Sequence, residues 1–183
     1  MIRLPRIRPP RRSGLRDDRR GVALIEFAFA VPILVLLFVG GYQLSDALSA
    51  FRKVTRATRT ISDLTSQYTT VADSDLDTIL NASQQVMSPY SPAAATMTVS
   101  QIKIDASGNA TVDWSRGKNT TGLVSGTAFT LPTAMKQANT SLIVSQISYL
   151  YTPVIAGSII GQIPMKEQMI MSPRATSSIG YAG

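Results

Sequence analysis

The residues with the clearest chemical meaning lie at a junction near the start of the chain. A basic stretch ends at Gly21, an apolar run begins at Val22, and one carboxylate, Glu26, follows five residues after the glycine. A charged side chain inside a membrane helix costs about 2.5–3.5 kcal/mol near the bilayer centre and less near its edge. Glu26 would lie only about 6 Å along a helix from Val22. It therefore either reaches the lipid headgroups or is neutralised by a positively charged partner.

A second group of carboxylates could bind a cation. Asp73, Asp75 and Asp77 alternate like the ligands in the first half of a calcium-binding loop. The sixth position of such a loop would be Thr78 instead of glycine, and the twelfth would be Gln84 instead of glutamate. Helix capping and the attraction of acids to a helix N-terminus explain the cluster without a metal. We expect no metal site and no cofactor.

Composition excludes most catalytic chemistry. The 183 residues include neither His nor Cys, which excludes Ser-His-Asp catalysis, thiol nucleophiles and thiolate zinc sites. Residues 1–20 hold eight Arg and two Asp, whereas residues 21–183 hold ten basic and nine acidic residues. A domain that binds nucleic acid would spread its basic charge over a folded face. We expect a protein that is not an enzyme, with no catalytic residues and no nucleic-acid partner.

The apolar run has the length of a membrane helix. Residues 22–42 contain one formal charge, Glu26; as a helix the run would be about 31 Å long, close to the hydrocarbon thickness of a bilayer. It is too long for the apolar part of a secretory signal peptide. Pro32 is tolerated because neighbouring groups can satisfy the carbonyl that it frees. Eight basic residues precede the run and four follow it closely, so the N-terminus is expected to be cytoplasmic.

The helix is predicted to continue beyond the membrane to about Thr70, because no Pro or Gly interrupts residues 42–71. Apolar residues recur there every three or four positions, which is the period of an amphipathic helix. Basic residues fall between them, on the other face. We expect the apolar stripe to pack against the following domain; it consists of Leu44, Leu48, Phe51, Val54, Ala57, Ile61, Leu64, Tyr68 and Val71.

The rest of the chain has the pattern of a small mixed domain. A short helix is predicted to end near Met87, and β-rich segments follow at residues 96–105, 109–115, 141–151 and 163–171. In the second segment Ala110, Val112 and Trp114 would share one face, and Trp114 is either a core residue or a ligand platform. The predicted fold class is α+β: a long N-terminal transmembrane and amphipathic helix, then a small periplasmic domain with a short helix and an antiparallel β-sheet.

Two parts of the chain resemble a known family. The junction RRGVALIEF resembles a type IV prepilin-type signal, and residues 19–41 resemble the TadE-like family of tight-adherence (Tad) pilus assembly proteins. Near the end, Tyr149-x-Tyr151-x-Pro153 and Met171-x-Pro173-Arg174 are similar to elements that this family often shows. The middle of the chain, about residues 75–135, shows no such resemblance. Val22 also departs from the Phe that many pseudopilins carry, and the Arg- and Pro-rich leader is long.

The resemblance implies specific roles at the junction. A prepilin peptidase would cut after Gly21, so that Val22 becomes the N-terminus of a mature chain of 162 of the 183 residues. Glu26 would then pair with the new amino group, on its own chain or on a neighbouring subunit. Phe27 and Pro32 match the family pattern as further subunit-assembly residues.

We therefore expect a minor pilin-like (pseudopilin) subunit for assembly of a Tad/Flp-type type IVb pilus, a single-pass protein of the bacterial inner membrane with a periplasmic C-terminal domain. Expected partners are the prepilin peptidase, other Tad pilus subunits, inner-membrane pilus assembly proteins and membrane lipid. The alternative is an uncleaved single-pass protein whose periplasmic domain binds a ligand or an envelope component. The expected organisation is a leader (1–21), a transmembrane helix (22–44), an amphipathic extension (45–71), an α+β head (72–176) and a flexible tail (177–183).

Overall fold

The computed structural model describes residues 20–155 and 157–183, so the predicted leader lies outside the described residues except at its last two positions. The chain forms two units, residues 1–42 and residues 43–183. One long helix, α1 (Arg20–Ser66), contributes to both. We call residues 43–183 the head and describe the two units separately.

The described part of the first unit is a single apolar stretch of α1. The helix continues through Pro32 and is long and apolar enough to cross a membrane, with none of its most apolar window buried. Every side chain from Gly21 to Tyr42 is exposed or partly exposed. A helix that is apolar on all sides and that no other described segment buries needs an apolar environment. This is consistent with a membrane-anchored protein.

The head combines the end of α1 with a mixed set of elements. They are β1 (Thr70–Val71), α2 (Asp73–Val86), β2 (Ala95–Ile104), β3 (Ala110–Lys118), β4 (Thr140–Tyr151), α3 (Gly157–Ile160), β5 (Ile163–Met171) and β6 (Gly180–Tyr181). Four strands form an antiparallel sheet in the order β3-β2-β4-β5, and β1 pairs with β6 in parallel. The predicted α+β class, with a long N-terminal helix, a short helix and an antiparallel sheet, is confirmed.

Two apolar clusters stabilise the head. The larger one joins α1 and α2 to the sheet, and its fully buried members include Val54, Ile61, Leu76, Leu80, Met97, Val99, Ile143 and Ile147. The smaller one consists of Ile102, Ile104, Ala110, Val112, Leu131 and Val144. Because alternate residues of a strand point to opposite faces, β4 supplies Ile143 to one cluster and Val144 to the other. A buried hydrogen bond between the Ser62 and Ser145 hydroxyls also joins α1 to β4.

The predicted apolar stripe of α1 is correct only in its second half. Val54, Ala57 and Ile61 are buried as expected. Leu44, Leu48 and Phe51 are instead 63%, 49% and 41% exposed. The buried side of the helix contains Gln43 and Ala50. Leu44 and Phe51 each follow one of these residues and therefore lie about 100° further round the helix. Their side chains point away from the core of the head. Tyr68, beyond the end of α1, is also exposed.

The prediction that Ala110, Val112 and Trp114 share one face is wrong. Trp114 belongs to the larger cluster, whereas Ala110 and Val112 belong to the smaller one. The register explains the change, because Gln101 lies opposite Trp114 and Ile102 lies opposite Val112. Asp113 is therefore an extra residue in β3. Such a bulge moves the residues beyond it to the other face of the sheet.

Two residues of the segment predicted to be a flexible tail (177–183), Ile179 and Tyr181, contact other parts of the head. Ile179 is fully buried; its N–H donates to Gln101 Oε1 at 2.8 Å, and its carbonyl accepts from Trp114 Nε1 at 3.3 Å. The Tyr181 ring stacks on Trp114, with 5.9 Å between the ring centroids. Trp114 is thus a core residue that holds the C-terminal segment.

Candidate subunit-assembly surfaces

The predicted cleavage junction lies at the start of α1, in a region with free space. A Cβ added to Gly21 would meet no described atom within 4 Å, and the backbone there is helical without a positive φ. Neither packing nor backbone conformation therefore requires glycine at this position. The following residue, Val22, is exposed. The fold would therefore accept another residue at this position.

The other predicted assembly residues, Glu26, Phe27 and Pro32, are all exposed on α1. Glu26 makes no hydrogen bond or ion pair with another described residue. Val22 and Glu26 are four residues apart in the helix, so they lie on the same side about one turn apart. The structure therefore places the predicted new N-terminus and the carboxylate on the same exposed side of α1.

A second exposed surface belongs to the head. Leu44, Leu48 and Phe51 recur at intervals of four and three residues, which places them on one side of α1, and about half of each side chain is exposed. We call these three residues the helix patch. Exposed apolar side chains that cluster in this way mark a contact with protein or lipid.

Asp46 of α1 is the centre of a hydrogen-bond cluster that sequence reasoning missed. The Tyr90 hydroxyl donates to Asp46 Oδ1 at 2.8 Å, and the Tyr151 hydroxyl donates to Asp46 Oδ2 at 2.5 Å. Burial and the nearby carboxylate raise the pKa of Tyr90 to about 12, and the same causes raise the pKa of Tyr151. This cluster fixes the Tyr149-x-Tyr151 element against α1. The sequence offers one signal for this cluster: Asp46 lies on the same side of α1 as Gln43 and Ala50, which are buried in the head.

The other C-terminal element that resembles the family also contacts α1. Arg174 forms an ion pair with Asp63 at 2.8 Å, and its backbone N–H donates to the Ser66 carbonyl at 2.8 Å. The elements near residues 149–153 and 171–174 thus anchor the last third of the chain to the helix. We assign them a structural role in the head.

The aspartates at the start of α2 bind an arginine. The Arg116 guanidinium donates to both Asp77 carboxylate oxygens at 2.9 and 2.8 Å and to Asp73 at 2.9 Å, while Asp75 accepts the Ala72 N–H at 2.9 Å and caps the helix. The hydrogen bond from Arg116 lowers the pKa of Asp77. In the described part of the chain, no group of three or more acidic side chains is arranged to hold a metal ion.

Comparison with known proteins connects one part of the chain to a family. Residues 21–62 match the family model described as TadE-like protein. The match starts at Gly21 and ends within α1, so it covers the exposed apolar segment, the helix patch and part of the buried face. The resemblance to the TadE-like family is therefore confirmed over this segment. No curated protein and no solved structure matches the chain.

Proposed function

We propose that this protein is a minor pilin-like (pseudopilin) subunit for assembly of a Tad/Flp-type type IVb pilus, processed after Gly21 by a prepilin peptidase. The observation that carries the proposal is that the family match begins at Gly21, the residue at which the sequence predicts the leader to end. The free space around this glycine would also give a peptidase access to the scissile bond.

The proposed location is the bacterial inner membrane, with the N-terminus in the cytoplasm and the head in the periplasm. The one helix among the described residues that is long and apolar enough to span a membrane supports an anchor, and the excess of basic residues before it supports the orientation. Membrane lipid would surround α1 until other subunits replace it.

The proposed mechanism is assembly through contacts of α1. In the membrane, the helix would pack against the helices of other Tad pilus subunits and of inner-membrane assembly proteins. Cleavage would create an ammonium group at Val22 that pairs with Glu26, within one chain or between chains. At the end of the membrane-spanning segment and just beyond it, the helix patch would extend the contact, since its side chains are apolar and about half exposed.

The cleavage step can be tested with two glycine variants. We expect Gly21→Leu to insert into the membrane but to keep all 183 residues, because the bulky side chain blocks the approach of the peptidase to the scissile bond. Gly40→Leu is the matched control: an added Cβ there also meets no atom within 4 Å, and this variant should mature to the chain that starts at Val22. The mass of the membrane form distinguishes the two lengths.

Two outcomes would count against processing. Maturation of Gly21→Leu to the shorter chain would mean that the junction is not the recognised site. A wild-type protein that keeps its leader in cells with an active prepilin peptidase would favour the uncleaved single-pass alternative.

A further inference from the structure

An open groove lies beside α1, at the edge of the sheet. Its volume is about 610 Å³, and its apolar lining is formed by Leu64, Val86, Met169 and Met171. Methionine side chains are flexible and polarisable, so they adapt to different apolar partners. The apolar lining of the groove can therefore contact ligand side chains of different shapes.

Two cations on α1 border this groove. Arg56 and Arg59 are exposed, and neither forms an ion pair with a described residue. They are three residues apart, so they project from the same side of the helix. The acidic residue in the lining, Asp63, is already paired with Arg174. Because guanidinium groups bind carboxylates through two parallel hydrogen bonds, the groove favours an acidic ligand.

Met169 and Met171, which line the groove, belong to β5, a strand that has one unpaired edge. β5 pairs with β4 on one side, and it makes no backbone hydrogen bond with any other described segment. Its first half contains Pro164, Lys166 and Glu167, residue types that discourage pairing with another strand. The second half, residues 168–171, has neither proline nor charge. The half that can accept a further strand is thus the half that lines the groove.

We propose that this groove binds an acidic, extended segment of a partner protein, which adds to β5 as a further strand beside residues 168–171. In such β-augmentation the main chain supplies affinity and alternate side chains supply specificity. Alternate residues of the added strand would lie about 6.7 Å apart on one face. The positions of Arg56 and Arg59 are about 4.5 Å apart along the helix axis. Flexible arginine side chains bridge this difference, so two carboxylates can be bound at once.

The charge requirement is tested by peptide binding to the full chain in detergent micelles. The probe is a fluorescent, end-capped hexapeptide of alternating valine and aspartate, and binding is followed by fluorescence anisotropy. We expect saturable binding that Arg56→Ala/Arg59→Ala weakens at least tenfold. Lys118→Ala/Lys136→Ala removes the same charge from parts of the head that do not line the groove, and it should change the affinity less than twofold. Absence of binding, or equal loss in both variants, would overturn the proposal.

The strand mode is tested with two N-methylated forms of the same peptide. Methylation of the valine amides or of the aspartate amides removes the N–H donors from one edge of the peptide and leaves the other edge intact. One form should bind at least tenfold more weakly, and the other should bind like the parent. Undiminished binding of both forms would show that the acidic segment lies in the groove without pairing with β5, and the proposed mode would be wrong.

Discussion

At the scale of single residues, Glu26 is the strongest functional candidate. It is exposed in an apolar segment and has no partner among the described residues. A carboxylate in that setting is costly unless a positive group neutralises it, and the proposed cleavage creates such a group at Val22, one helical turn away. Loss of one member of a buried charge pair costs about 3–5 kcal/mol, because the other charge is left unpaired.

We therefore predict that Glu26→Leu inserts into the membrane and is at least partly cleaved, but no longer co-isolates with partner pilins or supports piliation. Glu26→Gln has nearly the same size without the charge, so it should fail in the same way, whereas Glu26→Asp should retain part of the function. Co-purification from membranes and counts of pili measure the effect. Normal pili from the Glu26→Leu strain would rule out the pairing mechanism.

Single residues also show where sequence reasoning ends. Gly21 and Glu26 are candidates that the sequence alone can propose, because their predicted roles depend on residue type and spacing within a few positions. Asp46 could not be found in this way, because its partners Tyr90 and Tyr151 come from segments far away in the chain. The same holds for Arg116, whose role depends on the position of α2 against β3.

At the scale of elements, local sequence patterns predicted the positions of the strands well. They predicted less well which side of a strand or helix is buried. The segments predicted at residues 141–151 and 163–171 correspond closely to β4 and β5. The facing of Trp114 was missed because one extra residue, Asp113, reverses the alternation. The exposure of the helix patch was missed because an apolar stripe shows amphipathicity but not what covers it. Both errors concern tertiary contacts that periodicity does not contain.

The cluster of Asp46 with two tyrosines links elements that are distant in sequence, and it makes the stability of the head depend on pH. Below about pH 10 the phenol groups are protonated in both the folded and the unfolded chain. Above pH 10 the unfolded chain loses these protons first, because the pKa of Tyr90 in the head is raised to about 12. The free energy of unfolding should therefore fall as the pH rises from 10 to 12.

Denaturant titrations of the full chain in micelles at pH 9 and pH 11, followed by Trp114 fluorescence, measure this effect. The double variant Tyr90→Phe/Tyr151→Phe should lose less stability between the two pH values than the wild type. Tyr68→Phe changes an exposed tyrosine and should behave like the wild type. An equal loss of stability in all three proteins would show that the cluster does not titrate in this way.

At the scale of the whole molecule, the proposed function depends on which side of the membrane holds the head. Eight basic residues before the apolar run and four after it predict a cytoplasmic N-terminus. A reporter joined directly to Gly183 risks disturbing the packed C-terminal segment, because Ala182 still donates a hydrogen bond to the Val71 carbonyl. A label on an exposed loop avoids this problem, and the chain contains no cysteine that would compete for it.

We predict that Val124→Cys, at a position where the side chain is 71% exposed, reacts with a membrane-impermeant maleimide in intact spheroplasts. Ser13→Cys, made in the uncleaved Gly21→Leu background so that the leader is retained, should react only after the membrane is opened. The positive-inside rule requires this opposite pair of results. Labelling of Ser13→Cys but not of Val124→Cys in intact spheroplasts would place the head in the cytoplasm, where it could not take part in assembly of an extracellular pilus.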